Sequence, residues 1–137
     1  MIVVDTNVIG YLFLSSDQSV LAERALKKNS DWAAPIIWRS ELRNVLALYM
    51  RKNIIRLDQA QNIMKGALEL MEGREYEISS YEVLRLASGS KCSAYDCEFV
   101  AAANDLKVPL ITVDNQLLRT FPDVAVSLTA FCGRYKP

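Results

Sequence analysis

Residues 2–5, IVVD, and residues 110–114, LITVD, repeat one phrase: a short run of apolar strand formers closed by an aspartate. Consecutive β-branched residues without polar alternation suit strands buried on both faces, as in a parallel sheet. Such sheets gather ligands at the carboxyl ends of their strands, near a switch in strand order. If the two strands are parallel neighbours, Asp5 and Asp114 emerge side by side from one edge. Either aspartate alone also suits the N-cap of a following helix; the matched pair is the more informative signal.

Helical periods fill the chain between and around these strands. An apolar helix is expected near Val8 to Leu14, and a second from about Gln18 to Lys28 with Asp17 as its N-cap. WAAP at 32–35 reads as a small strand ending at Pro35. A long helix from about Trp38 to Lys52 and a partner starting at Asp58, with Gln61 completing a capping box, make an αα-hairpin. REYEI at 74–78 can supply a short strand, Ser79 and Glu82 box a helix to about Ala87, and GSKCS is a loop. Ser93 opens a helix to about Leu106, a short helix covers Asn115 to Arg119, and VAVSL at 124–128 is a last strand. Parallel strands need crossovers, which are usually helical, so the alternation predicts an α/β fold with a central parallel sheet and helices on both faces.

A chain of 137 residues, 51% hydrophobic, is expected to form a single domain over 1–137. Lys plus Arg total 16 and Asp plus Glu 16, so the net charge advertises neither nucleic acid nor an anionic membrane. No apolar run approaches the roughly 20 residues of a membrane span and no leader precedes Asp5, so a cytoplasmic protein without membrane attachment is expected. Cys92, Cys97 and Cys132 lack metal-site spacing and read as free thiols. The decisive absence is histidine, of which there is none. That excludes Ser-His and Cys-His nucleophile pairs, H-E-x-x-H zinc hydrolysis and nucleases that shuttle protons between two imidazoles. Chemistry must come from carboxylates, a metal, or Lys and Arg.

Two further carboxylates stand where apolar residues would be expected. Phe99, Val100 and Ala103 follow Asp96 at three, four and seven residues and share its helical face, so Asp96 points toward the core; the alternative is that it completes a capping box with Ser93. Val45 and Leu48 follow Glu41 at four and seven, placing Glu41 at the edge of a buried face; the alternative is a solvated Glu paired with Arg39 or Arg43. If Asp5, Glu41, Asp96 and Asp114 converge, their repulsion must be offset. An all-oxygen donor set suits Mg²⁺ or Mn²⁺, whose natural use here is phosphodiester hydrolysis.

VVDTNV around Asp5, SELRNVL around Glu41, SAYDCEFVAAA around Asp96 and LITVDNQLL around Asp114 occur in one order. In these phrases the chain resembles PIN-domain nucleases, and within them the small VapC-type toxins of toxin-antitoxin pairs, over essentially its whole length. The resemblance implies a PIN-like α/β/α sandwich, a Mg²⁺- or Mn²⁺-dependent endoribonuclease acting on RNA, a homodimer, and a cognate antitoxin that blocks the site. It carries over Asp5, Glu41, Asp96 and Asp114 as the catalytic and metal-binding quartet, and Asn7 and Thr112 as supporting or substrate-orienting residues. Glu98 is a further acidic neighbour that a two-residue helical step turns away from Asp96.

RNA contacts fall to Arg39 and Arg43, one turn apart around Glu41, with Arg51, Lys52, Arg56 and Lys91 nearby. Trp38, Tyr49, Met50, Ile54 and Ile55 give the hairpin more large apolar side chains than one core stripe needs, which a partner helix could cover. Two other readings are kept: a catalytically silent PIN-fold RNA-binding or assembly module, and a phospho-receiver domain, which usually opens with adjacent acidic residues and places a Lys after its last core strand, neither of which is clear here.

Overall fold

The computed structural model describes residues 1–133. β1 (Ile2–Val4) lies at the centre of a five-stranded sheet, flanked on one side by β2 (Trp32–Pro35) and β3 (Glu75–Tyr76), and on the other by β4 (Leu110–Thr112) and β5 (Ala125–Ser127). Every pairing is parallel. β1, β2 and β4 are buried at every position, which explains why their sequences carry no polar alternation. The chain leaves β1 toward β2 and later returns to its opposite side as β4, so the switch in strand order falls between β1 and β4.

Helices cover the sheet. α6 (Ala94–Leu106) lies across β1, β2 and β4, with α5 (Ser80–Ser88) packed on it. α1 (Thr6–Phe13) packs on α2 (Ser19–Lys28) and on the hairpin of α3 (Trp38–Arg51) and α4 (Leu57–Met71). The short α7 (Asn115–Thr120) leads from β4 to β5. Nearly the whole circumference of α6 is buried, through Cys97, Phe99, Val100, Ala101, Ala102 and Ala103. The small alanines let the helix sit close to the strands. The three cysteines are free and buried, as expected.

Several helix starts differ from the sequence expectation. α1 begins at Thr6, immediately after its N-cap Asp5. α2 begins after Gln18 without a side-chain cap, so Asp17 does not serve as one. α4 begins at Leu57: the Gln59 side chain accepts from the Arg56 backbone N–H at 2.8 Å, and Asp58 pairs with the Arg56 guanidinium instead of capping with Gln61. Ser79 caps α5 as expected, but Glu82 turns to Arg85 instead of closing the box. A final helix, α8 (Leu128–Gly133), follows β5 directly and was not expected. Ser127, the end of the strand, accepts from the Ala130 N–H at 2.9 Å, and Lys28 on α2 donates to the Phe131 carbonyl at 2.7 Å. The first is a local cap and the second a tertiary contact, and together they hold six residues with little helical signal in a turn and a half.

The hairpin is fastened to the edge strand by Glu75. Its carboxylate takes both the Arg39 guanidinium and the Trp38 indole N–H, the latter at 2.8 Å. Trp38 is fully buried, so its N–H has no solvent alternative. Glu75→Ala should cost about 1–3 kcal/mol in urea unfolding, and Glu75→Gln less, because the amide oxygen still accepts from the indole.

Candidate active site

The register of β1 against β4 determines what meets at the sheet's carboxyl edge. Val4 is level with Ile111, and the Asp5 N–H donates to the Ile111 carbonyl at 2.9 Å. Asp5 therefore comes out beside Thr112, with Asp114 two residues farther along. The Thr112 hydroxyl donates to Asp5 Oδ2 at 2.7 Å and accepts from the Asp114 N–H at 3.0 Å. Thr112 is fully buried, and it joins the two aspartates.

Thr6 does the corresponding work toward the hairpin. Its N–H donates to Asp5 Oδ1 at 2.8 Å, and its hydroxyl donates to Glu41 Oε1 at 2.6 Å. Glu41 sits in the first turn of α3, half-buried, which matches the edge position expected from its spacing. A continuous hydrogen-bonded path thus runs Glu41, Thr6, Asp5, Thr112, Asp114. Thr6 was not singled out from the sequence, although it lies inside VVDTNV; the structure places it at 5% exposure between the buried strand and the helix.

Asp114 caps α7, its Oδ1 accepting from the Gln116 and Leu117 N–H groups at 2.8 and 3.2 Å. Asp5 and Asp114 are thus helix caps as well as sheet-edge carboxylates, so the two readings of each do not compete. Asp96 enters from α6. Ser93 caps that helix by accepting the Asp96 N–H at 3.0 Å, but the return bond of a capping box, from the Ser93 N–H to the Asp96 carboxylate, is absent among the described residues. The Asp96 side chain is left facing the other acids.

The charges register one another. Burial raises the pKa of Asp5 from 3.8 to about 6; the bonds from Thr112 and Thr6 resist that shift, and the charges of Glu41 and Asp96 add to it. Burial raises Glu41 as well, opposed by the Thr6 hydroxyl and reinforced by Asp96 and Glu98. Asp96 is raised by burial and then by Asp114. Glu98 is half-buried and lies near enough to raise Glu41, so it joins the acidic edge on the Glu41 side, although a two-residue step does turn it from Asp96. No ion pair among the described residues includes any of these carboxylates.

Of the other residues expected here, Asn7 is exposed in the first turn of α1. Arg39 is committed to Glu75, which takes it out of the set of free phosphate ligands. Arg43 is exposed, its Nε donating to the Arg39 carbonyl at 3.0 Å. Like Arg51 at the far end of the same helix, it has no acidic partner among the described residues.

The donors fit a hard divalent cation in kind: they are carboxylate oxygens, close enough to raise one another's pKa, with no cation beside them. Among the described residues no three acidic or thiol side chains close into a ready-made cage. The all-oxygen donor set suits a hard cation such as Mg²⁺ or Mn²⁺ and lacks the nitrogen and sulfur ligands that Zn²⁺ favours.

The model of one protein family, the PIN domain, matches residues 2–122. The chain belongs to the PIN-domain family. Among curated proteins, this PIN domain is 30% identical over 126 residues to Ribonuclease VapC3 of Pyrobaculum aerophilum, spanning 88% of this chain and 95% of that protein. Among solved structures it superposes on FitAcB from Neisseria gonorrhoeae with a TM-score of 0.71 at 22% identity, over 93% of this chain and 96% of that one. A toxin-antitoxin complex from Klebsiella pneumoniae gives 0.69 at 22% identity, over 93% and 98%. These two likenesses establish the PIN fold, and with it the expected parallel sheet flanked by helices.

The raised pKa of Asp5 has a definite sign. The folded protein holds this proton more tightly than the unfolded chain, so stability falls as pH rises from about 4 to about 6, by on the order of 3 kcal/mol at about 1.4 kcal/mol per unit. Asp5→Asn keeps the acceptor for the Thr6 N–H and removes the charge, but loses the Oδ2 acceptor of the Thr112 hydroxyl, which costs about 1 kcal/mol against the larger gain. In EDTA at pH 7.5 the variant should unfold at higher urea than the wild type, and that advantage should be gone near pH 4.

Proposed function

We propose that this PIN domain is a Mg²⁺- or Mn²⁺-dependent endoribonuclease, the toxin of a toxin-antitoxin pair, working as a single domain in the cytoplasm. The observation that carries the reading is the hydrogen-bonded path from Glu41 through Thr6, Asp5 and Thr112 to Asp114, which holds uncompensated carboxylates at the switch point of the sheet. A fold gains nothing in stability from burying such charges, since unpaired they cost free energy. The likeness to Ribonuclease VapC3 supports the same reaction class.

Asp5, Glu41, Asp96 and Asp114 would hold the cation, with water completing its coordination. When bound, the cation supplies Lewis acidity toward water and toward the phosphodiester, and offsets the acids' repulsion. The threonines hold Asp5 and Glu41 ionised against a burial that favours their neutral forms, and fix which carboxylate oxygens face outward. Arg43, exposed on α3 but turned from Glu41 by a two-residue step, would neutralise an RNA phosphate flanking the site; Asn7, exposed beside Asp5, can orient the substrate. Hydrolysis by water instead of by a ribose 2′-hydroxyl leaves 5′-phosphate and 3′-hydroxyl ends.

For the antitoxin, the hairpin offers an apolar groove of about 460 Å³ lined by Phe13, Tyr49, Ile54, Ile55 and Ile63. Ile54 and Leu57 are 59% and 61% exposed, while Trp38 is fully buried and belongs to the core. An amphipathic partner helix suits that groove. A homodimer is also proposed, as the resemblance to VapC-type toxins implies. No helix among the described residues is long and apolar enough to cross a membrane.

The absence of a preformed cage favours one competing account, a PIN module that binds RNA without cutting it. Wild type and Asp96→Asn, purified in parallel, separate the two on an end-labelled structured RNA with Mn²⁺ or EDTA. Nuclease function predicts Mn²⁺-dependent cutting with 5′-phosphate ends, lost in Asp96→Asn while apo stability is kept or raised. Mn²⁺ at about 100 times its Kd should also stabilise the wild type by roughly 2.7 kcal/mol. RNA binding without cutting by either protein, and a melt indifferent to Mn²⁺, would establish the silent module.

A further inference from the structure

Beside the acidic path, between α1 and α3, lies a recess of about 80 Å³ bordered by Thr6 and Asn7. Gly10, Leu14, Leu42 and Val45 give it an apolar lining, which Ser16, Tyr11 and Tyr49 complete. The hydrogen bonds at this end of the site run through Thr6 and Thr112; among the described residues they use neither the Asn7 amide nor the hydroxyls of Tyr11 and Tyr49. Both tyrosines are half-buried, and neither hydroxyl has a protein partner among the described residues. Gly10 deepens the floor at this point: a Cβ there would meet Leu42 Cδ1 at 3.9 Å, in the space between the two helices.

An apolar floor with a few convergent polar groups is the common form of a small-ligand pocket. The groove that suits a partner helix lies on the far side of Tyr49 and is several times larger. The small recess is too short for a helix, and its unspent donors and acceptors suit the edge of one flat heteroaromatic ring. RNA-reading proteins take unpaired bases in this way, by stacking on aromatic side chains and bonding the base edges.

We infer that the Asn7, Tyr11 and Tyr49 recess binds the base of the unpaired nucleotide next to the scissile phosphate, and that its size selects a pyrimidine over a purine. For its natural occupant the inference rests on the nuclease reading, since the recess opens beside Asp5 and Glu41. Asn7 and the tyrosine hydroxyls then bond the base edge, and the tyrosine rings flank its face. A site that pairs its polar groups with one base rejects another that leaves them unpaired, commonly by tenfold or more.

The test needs neither metal nor cleavage. Full-length protein in EDTA is titrated with uridine 5′-monophosphate and with adenosine 5′-monophosphate, followed by two-dimensional NMR. Uridine monophosphate should shift the signals of Asn7, Tyr11, Val45 and Tyr49 with a Kd at least about tenfold below that of adenosine monophosphate. The double variant Tyr11→Phe, Tyr49→Phe keeps the rings and should lose that preference. Shifts elsewhere, no shifts at millimolar nucleotide, or an unchanged preference in the double variant would each overturn the inference. Selective binding by a protein that cuts no RNA would leave the recess standing and remove the nuclease reading; cutting without selective binding would do the reverse.

Discussion

Asp5 is a carboxylate at 8% exposure with no positive charge beside it, and the architecture around it follows from that constraint. Water cannot solvate it, so its stabilisation comes from fixed dipoles: the Thr6 N–H on one oxygen and the Thr112 hydroxyl on the other. The second donor depends on strand register, whereas the first comes from the next residue along the chain. A slip of one residue between β1 and β4 would remove Thr112 from reach and turn every side chain of the strand to the other face. The same hydroxyls also hold Glu41 and the Asp114 backbone, so one set of contacts serves the sheet, the start of α1 and the hairpin. Positioning and stability are here the same interactions.

The hairpin supplies the other half of this arrangement. Glu41 can meet Thr6 only because α3 begins where Glu75 anchors Trp38 and Arg39 to the edge of the sheet. Charge is thus handled in two ways within a few residues on one helix. Arg39 is neutralised by a neighbour and serves the fold, whereas Glu41 is left with a neutral donor and stays available. Which role a charged side chain takes is decided by the partner that tertiary structure brings to it, and helical spacing alone does not distinguish them.

Much of this was legible in the sequence. The phrases IVVD and LITVD gave two buried parallel strands, and the spacing around Asp96 and Glu41 brought both acids to the edge of buried surface. The alternation of strands and helices gave the class. What escaped depended mostly on partners distant in sequence. Thr6 was passed over because a threonine after a strand is ordinary until Glu41, 35 residues away, is placed against it. Arg39 was expected to face RNA because its partner Glu75 lies 36 residues on, beyond any helical period. The alignment of Asp5 with Thr112, with Asp114 beyond, needed the register, which no local pattern specifies. The start of α4 escaped for a local reason, since Gln59 and Asp58 both bond Arg56 in place of an Asp58–Gln61 box, and α8 combines a local Ser127 cap with the distant Lys28 clasp.

The bond between Asp5 and Thr112 joins residues 107 apart, and the clasp of Lys28 on Phe131 spans 103. Contacts of that separation close late, after the intervening chain is in place. During synthesis the first acid leaves the ribosome long before its partners, and β1 has no β4 to pair with until the chain is nearly finished. The growing polypeptide therefore carries scattered acids and no assembled edge. The acidic edge is complete only when translation is almost finished, because its last strand is among the last segments to emerge.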